Sequence, residues 1–129
     1  MEGMNELSRR VIGAAMEVHR RLGPGLLESV YQRCLAIELE LCGVPARSQV
    51  CLPVRYRDHD ITEDGYRMDF VVDGRLVVEL KSVESVQDVH KKQLLTYLKL
   101  SGCKLGLLVN FNVPVLSDGI TRIINGFPN

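Results

Sequence analysis

Three charged residues interrupt two otherwise apolar stretches of the chain. Asp69 lies within residues 68–72, and Glu79 and Lys81 lie within residues 76–81. A charge inside a buried strand is unfavourable unless it is paired or binds a metal ion. Two carboxylates and a lysine could therefore form a metal site. The strand pattern alone favours the other interpretation, an internal salt-bridge set or exposure on an open sheet face.

The register of the two strands decides whether these side chains can meet. Glu79 and Lys81 are two residues apart, so they point to the same face of their strand. Asp69 joins them if it lies opposite Glu79, and that register places Gly74 at the centre of the connection. A two-residue turn would send Asp69 to the other face. A shared site therefore predicts a three-residue loop, 73–75, with Gly74 at positive φ.

A second set of polar side chains lies on a predicted helix further along the chain. Gln93 and Tyr97 are four residues apart and share one helical face. They could contact a substrate or support Lys81, although an ordinary face with Tyr97 half buried is favoured in isolation. His90 lies one turn before Gln93, and both an approach to the site and a capping or surface role remain open.

The elements that must position these residues follow from changes in hydrophobic period. Helical spacing predicts helices over 5–22 and 86–101, and between them a helix with Val30, Cys34, Ile37 and Leu41 on its apolar face. Alternation predicts a strand over 50–56, with Pro53 typical of an edge. Further strands are predicted over 68–72 and 76–81, joined through Asp73-Gly74, over the continuous apolar run 105–109, and over 120–124. The order α, α, β, β, β, α, β predicts an α/β fold with one mixed sheet flanked by helices.

Length and composition limit the class of protein. The 129 residues fit a single domain, 1–129, and 16 basic and 16 acidic side chains cancel to zero net charge. That balance excludes a strongly basic coat protein and argues against tight nonspecific binding to nucleic acid. The chain has neither an apolar run of about 20 residues nor a visible signal peptide. We therefore expect a cytoplasmic protein without a membrane partner.

The four cysteines are widely spaced and form no C-x-x-C pair. Two interpretations remain: reduced residues that fill the core, which is favoured, and ligands of an iron–sulfur cluster or zinc. The residues are Cys34, Cys42, Cys51 and Cys103.

Several of these residues together resemble a known family. Asp69 followed by Glu79-Leu80-Lys81 is similar to the D…(D/E)xK signature of the PD-(D/E)XK nuclease superfamily, although Met68 stands where its name has proline. The segment 93–97 resembles the QxxxY motif of its RecB-like members, and 25–31 resembles the motif of the GxxExxY family within it. The resemblance covers nearly the whole chain and implies the restriction-endonuclease-like αβββαβ core.

The resemblance also implies a chemistry, hydrolysis of phosphodiester bonds with Mg²⁺ or Mn²⁺ as the cofactor. It implies Asp69, Glu79 and the backbone carbonyl of Leu80 as metal ligands, with Glu28 as a further acidic candidate facing the metal. Lys81 would orient or activate the attacking water and stabilise charge on phosphorus. Residues implied to bind substrate or to support the site are Tyr31, Gln93, Tyr97 and His90.

The sequence thus predicts a nuclease whose partner is nucleic acid, with DNA favoured over RNA. The alternative is a nucleic-acid-binding or assembly module that keeps the fold without turnover. Intact Asp69, Glu79 and Lys81 favour the enzyme, because a module without catalytic duty needs no convergence of two carboxylates and a lysine. Assembly as a homodimer or in a larger complex stays open.

Overall fold

The protein is represented by a computed structural model that describes residues 2–61 and 65–126. The helices are α1 (Glu2–Leu22), α2 (Glu28–Leu41) and α3 (Asp88–Ser101). The strands are β1 (Ala46–Leu52), β2 (Arg55–Tyr56), β3 (His59–Asp60), β4 (Tyr66–Val72), β5 (Leu76–Lys81), β6 (Leu105–Asn110) and β7 (Ile120–Ile124). A 3-10 helix at Leu116–Gly119 precedes β7.

Five strands form the central sheet in the order β1-β4-β5-β6-β7, and β2 pairs with β3 in a separate hairpin. Strands β5 and β6 are parallel, because α3 carries the chain back to the start of the sheet. The other neighbouring strands are antiparallel. The mixed sheet flanked by helices confirms the predicted fold class, and outside the β2–β3 hairpin the elements α2, β1, β4, β5, α3 and β6 follow the αβββαβ order.

The two faces of the sheet carry separate hydrophobic clusters. On one face, α1 and α2 cover Phe70, Val78 and Leu80 among others. On the other face, α3 packs against Met68 and Val77. All six residues of β6 are buried, as expected for a strand that is covered on both faces.

The connection between β4 and β5 has the predicted register. Val72 pairs with Leu76, so Gly74 lies at the centre. Asp73 and Gly74 have φ of 52° and 67°, and the amide of Arg75 donates to the carbonyl of Val72 at 3.0 Å. This is the tight turn that an Asp-Gly pair favours. Arg75 makes the connection three residues long instead of two, which shifts the pairing of β4 with β5 by one residue.

The apolar face that was predicted for α2 is wrong. The helix buries Tyr31, Leu35 and Leu39, whereas the exposed residues of the predicted stripe are Val30, Ile37 and Leu41. Both stripes are apolar at helical spacing, so the pattern could not choose between them. Within residues 2–61 and 65–126, no helix combines the length and apolar character needed to cross a membrane.

The predicted first strand is also divided differently. It begins earlier, at Ala46, and ends at Leu52 before Pro53, which lacks the N–H needed for a further ladder bond. The alternating pattern continues past Pro53, but those residues enter the short β2–β3 hairpin.

The interpretation of the cysteines as core residues is wrong for two of them. Cys42 and Cys51 are exposed, while Cys34 and Cys103 are half buried and pack against the two clusters.

Candidate active site

Asp69 and Glu79 meet where β4 and β5 separate. The paired register runs as far as Phe70 and Val78. Beyond that pair, the amide of Asp69 donates to Oε1 of Glu79 at 3.3 Å, and the amide of Leu80 donates to Oδ2 of Asp69 at 2.8 Å. Each carboxylate therefore accepts a hydrogen bond from the backbone of the opposite strand, which holds both side chains at the divergence.

The alternation of faces along β4 reverses at Asp69. Met68 belongs to the cluster under α3, whereas Phe70, two residues later, belongs to the cluster under α1 and α2. Residues two apart in a regular strand share a face, so the strand is irregular between them. On β1, Ser48 pairs with Phe70 and Val50 with Met68, which places Gln49 opposite Asp69, and there Gln49 has a φ of 51°.

Burial and a neighbouring carboxylate change the acidity of Glu79, which is 9% exposed. Burial, followed by a hydrogen bond and the negative charge of Asp69, raises the pKa of Glu79 from an ordinary 4.5 to about 9. The charge of Lys81 acts in the opposite direction but does not cancel these effects. Glu79 is therefore protonated at neutral pH when no cation is bound.

Lys81 and Glu28 lie within electrostatic range of this pair. Lys81 is the last residue of β5 and is half buried, on the same face as Glu79. Glu28 is the first residue of α2, and the loop before it is tied to the end of β5 by a hydrogen bond from Ser82 to the carbonyl of Leu26. Burial raises the pKa of the Glu28 carboxyl, Lys81 lowers it and Asp69 raises it further. All four side chains thus share one electrostatic environment.

Tyr31 anchors the loop that leads into α2. Its ring stacks on Phe111 with centroids 4.4 Å apart, and its hydroxyl donates to the carbonyl of Gly23 at 2.6 Å while accepting from the amide of Leu26 at 3.1 Å. Ser82, just after β5, donates to the carbonyl of Leu26 at 2.6 Å. Tyr31 is fully buried, so it does not contact substrate; it supports the loop that positions Glu28.

Helix α3 places Gln93 and Tyr97 along a groove beside the site. Gln93 is exposed, and Tyr97 is 7% exposed with its ring centroid 6.1 Å from that of Tyr66. Burial raises the pKa of the Tyr97 hydroxyl, and the negative charges of Glu79 and Asp69 add to the effect. Tyr97 therefore lies within electrostatic range of both carboxylates.

His90 is engaged elsewhere. Its Nδ1 accepts a hydrogen bond from the amide of Gln87 at 3.0 Å, and the two residues form a capping box at the start of α3. Of the two roles that the sequence left open for His90, the structure shows the cap.

The donor set suits a hard divalent cation. Asp69 and Glu79 offer carboxylate oxygens, and the Leu80 backbone lies between Glu79 and Lys81. Burial, and then the hydrogen bond and negative charge of Asp69, raise the pKa of Glu79, and a bound cation would favour its ionised form. Among the described residues, no three His, Cys, Asp or Glu side chains gather into a metal-binding group, so Glu28 does not complete a three-residue ligand set with Asp69 and Glu79.

The sequence pattern did not reveal two residues that lie near the site. Asn110 is buried at the end of β6, where its side chain bonds both backbone groups of Val83 and the amide of Asn112 and so holds the segment after β5. A polar residue that ends an apolar strand was the available signal. Gln49 had no comparable signal, because nothing about a glutamine in a strand indicates a positive φ.

Six basic residues could meet a phosphate backbone, and they differ in availability. Arg20 and Arg21 both pair with Glu17 at 2.7 Å. The other four are exposed: Arg67, Lys91, Lys92 and Lys99.

Comparison with known proteins identifies a family. A family model described as the PD-(D/E)XK nuclease superfamily matches residues 5–123, which is most of the chain. No curated protein matches the sequence.

Proposed function

The chain belongs to the PD-(D/E)XK nuclease superfamily, and on that premise we propose that it hydrolyses phosphodiester bonds of nucleic acid in a reaction that depends on Mg²⁺ or Mn²⁺. The observation that carries the proposal is the pairing of Asp69 with Glu79 through hydrogen bonds at the point where β4 and β5 diverge. A buried carboxylate pair with a strongly raised pKa on one member is costly unless it serves a cation.

We propose that Asp69, Glu79 and the backbone carbonyl of Leu80 hold the cation, with Glu28 as a further acidic group near it. When bound, a divalent ion supplies Lewis-acid polarisation of the phosphoryl oxygen and lowers the pKa of water. The amide of Leu80 holds one oxygen of Asp69, which leaves the other oxygen of that carboxylate for the cation or for a second hydrogen bond.

Lys81 is proposed as the catalytic cation. Lys81 lies two residues beyond Glu79 on the same face of β5, and its charge acts on the carboxyl of Glu79. From there its ammonium group would orient the attacking water and stabilise negative charge that develops on the phosphate. Glu28 lies within electrostatic range of Lys81, so it helps to hold that ammonium group in the site.

The finer family assignment is also proposed. Gly25, Glu28 and Tyr31 match the GxxExxY motif, and their contacts give it a physical role, since Tyr31 anchors the loop from which Glu28 enters the site. Gln93 and Tyr97 match QxxxY and line one groove, and Tyr97 lies within electrostatic range of the carboxylates. We propose that Gln93 contacts the substrate strand and that Tyr97 supports the site.

DNA is the proposed substrate, ahead of RNA. With 16 basic and 16 acidic side chains, the protein has no net charge to attract a polyanion. Binding therefore depends on local cations, on the bound metal, and on a partner protein that adds positive charge.

The experiment is a panel of labelled single- and double-stranded DNA and RNA, incubated with Mg²⁺, Mn²⁺ or EDTA. Lys81→Ala is compared with Lys104→Ala, an exposed lysine just before β6 at the other end of the parallel β5–β6 pair. We expect cleavage with either metal, none with EDTA, and a loss of about 100-fold or more for Lys81→Ala alone.

Metal-independent cleavage, or equal activity of the two variants, would contradict the proposed site. Binding of DNA without cleavage under every metal condition would favour the alternative, a nucleic-acid-binding or assembly module with the same fold.

A further inference from the structure

Gln49 adopts a backbone conformation that its sequence does not explain. It lies in the middle of β1 with a φ of 51°, in the left-handed region that side chains other than glycine, asparagine and aspartate avoid. Its neighbours in the strand, Ser48 and Val50, pair regularly with β4. Strain at a single residue inside an otherwise regular strand persists when the surrounding contacts favour it.

Those contacts lead to the carboxylate pair. Nε2 of Gln49 donates to Oε1 of Gln32 at 2.8 Å and lies 3.5 Å from Oδ1 of Asp69. The other oxygen of Asp69 accepts the amide of Leu80. The carboxylate of Asp69 is thus held on one oxygen by a 2.8 Å hydrogen bond and faces, on the other, a glutamine donor at 3.5 Å that is itself fixed by helix α2.

The link to α2 gives the arrangement its rigidity. Gln32 lies four residues after Glu28 on the same helix, so the hydrogen bond to Gln49 ties α2 to β1 on the side where Glu28 enters the site. Gln49 is exposed, and its long side chain would be mobile without this second partner.

We propose that Gln49 is a positioning residue that orients the carboxylate of Asp69 for the divalent cation, with Gln32 holding the Gln49 amide. This inference rests on the proposed metal-dependent function. Hydrogen bonds from neighbouring groups to a ligating carboxylate fix its orientation, and their loss weakens metal binding by about tenfold or more.

A purely structural role makes a different prediction. The left-handed backbone at residue 49 accompanies the reversal of faces at Asp69, and glycine adopts that conformation without strain. Gln49→Gly therefore keeps the backbone shape and removes the side chain, including the amide group that faces Asp69. If the backbone were all that mattered, the variant would behave as the wild type or better.

The test titrates the metal-free protein with Mn²⁺ and measures the free ion by electron paramagnetic resonance. Thermal unfolding of the same variants measures their stability. For Gln49→Gly we expect a Kd for Mn²⁺ raised about tenfold and a midpoint of unfolding that is unchanged or higher. Gln32→Ala should raise the Kd by a smaller factor. Cleavage by Gln49→Gly should recover at saturating Mn²⁺, since the residue acts through metal binding.

Asp58→Gly is the matched control. Asp58 also has a positive φ, 69°, but it lies in the turn between β2 and β3, outside the central sheet. The Asp58→Gly variant should leave the Kd for Mn²⁺ unchanged. Equal Mn²⁺ affinity of Gln49→Gly and wild type would overturn the positioning role while leaving the nuclease proposal intact. Absence of Mn²⁺ binding to the wild type would overturn both.

Discussion

The amide of Asp69 donates to the side chain of Glu79 across the strands, at 3.3 Å, and the amide of Leu80 donates to Asp69 in return, at 2.8 Å. Two side chains thereby replace the backbone ladder beyond Phe70. Each of these two carboxylates accepts a backbone hydrogen bond and can also supply the negative charge that binds a cation. Substitutions can separate these two functions.

Asp69→Asn should therefore abolish metal binding and cleavage. Above about pH 9, where Glu79 is ionised in the folded protein, it should also stabilise the metal-free protein by about 1–2 kcal/mol, because the asparagine oxygen still accepts from Leu80 and the repulsion with Glu79 is removed. Asp69→Ala should be less stable than Asp69→Asn by about 1–3 kcal/mol, because it leaves the Leu80 amide without its partner. Urea unfolding in EDTA measures both differences. Retention of full metal-dependent cleavage by Asp69→Ala would contradict the site.

Stability of the metal-free protein should fall as the pH rises through the neutral range. The pKa of Glu79 is raised from 4.5 to about 9 in the folded state, so the folded protein keeps a proton that the unfolded chain releases. The contribution of this group is fully present below pH 4.5 and is lost by about pH 9. Glu79→Gln should remove much of this dependence of the unfolding free energy on pH, and it should stabilise the protein at pH 8 by about 1–3 kcal/mol.

Denaturant titrations at pH 5 and pH 8 test this expectation. Glu40→Gln, an exposed glutamate at the end of α2, is the control and should leave this pH dependence unchanged. A wild-type stability that rises from pH 5 to pH 8 in EDTA would contradict it.

Metal binding should release a proton. Because Glu79 is protonated at neutral pH without a cation, Mn²⁺ must displace that proton, and the affinity should increase up to tenfold per pH unit between 4.5 and 9. Calorimetry at pH 7 in buffers of different ionisation enthalpy counts the proton directly. A count near zero would contradict a protonated Glu79 in the metal-free protein.

Glu28→Gln should lower the rate of cleavage by about tenfold or more while changing the Kd for Mn²⁺ by less. The expectation follows from its place beside Lys81 and Asp69 but outside any three-residue ligand group among the described residues. Parallel measurements of rate and Mn²⁺ affinity separate the two effects. A loss of affinity as large as the loss of rate would make Glu28 a ligand.

Tyr31→Phe should destabilise the protein by about 1–2 kcal/mol, because the hydroxyl bonds to Gly23 and Leu26 disappear while the stack on Phe111 remains. Tyr56→Phe, at a tyrosine that is 64% exposed, should change stability by less than about 0.5 kcal/mol. Thermal unfolding compares the two. Equal stability of Tyr31→Phe and wild type would show that the loop does not depend on this hydroxyl.

Local chemistry explains why the sequence predicted the turn between β4 and β5 correctly but not the buried face of α2. Asp73-Gly74 encodes a turn by itself, and the alternating residues on either side set the register around it. In α2, Val30 and Tyr31 each begin an apolar stripe, so the buried face depends on what the sheet presents. The hairpin of β2 and β3 has no hydrophobic pattern to reveal it.

The same distinction applies to the site. Asp69, Glu79 and Lys81 could be predicted because charges in apolar strands are rare and their spacing sets their faces. Gln49 could not, since its position depends on a tertiary contact with Gln32 and on a backbone angle that glutamine does not signal. Their roles in metal binding and catalysis stay predictions.

The left-handed residue in β1 also bears on solubility. Strand β1 is at the edge of the sheet, where unpaired backbone groups form a template for aggregation. Gln49 is its central residue, which leaves three residues on either side, and prolines at 45 and 53 flank the strand. A foreign strand needs a longer regular edge to pair with. The distortion opposite Asp69 therefore also discourages this edge from recruiting a second molecule.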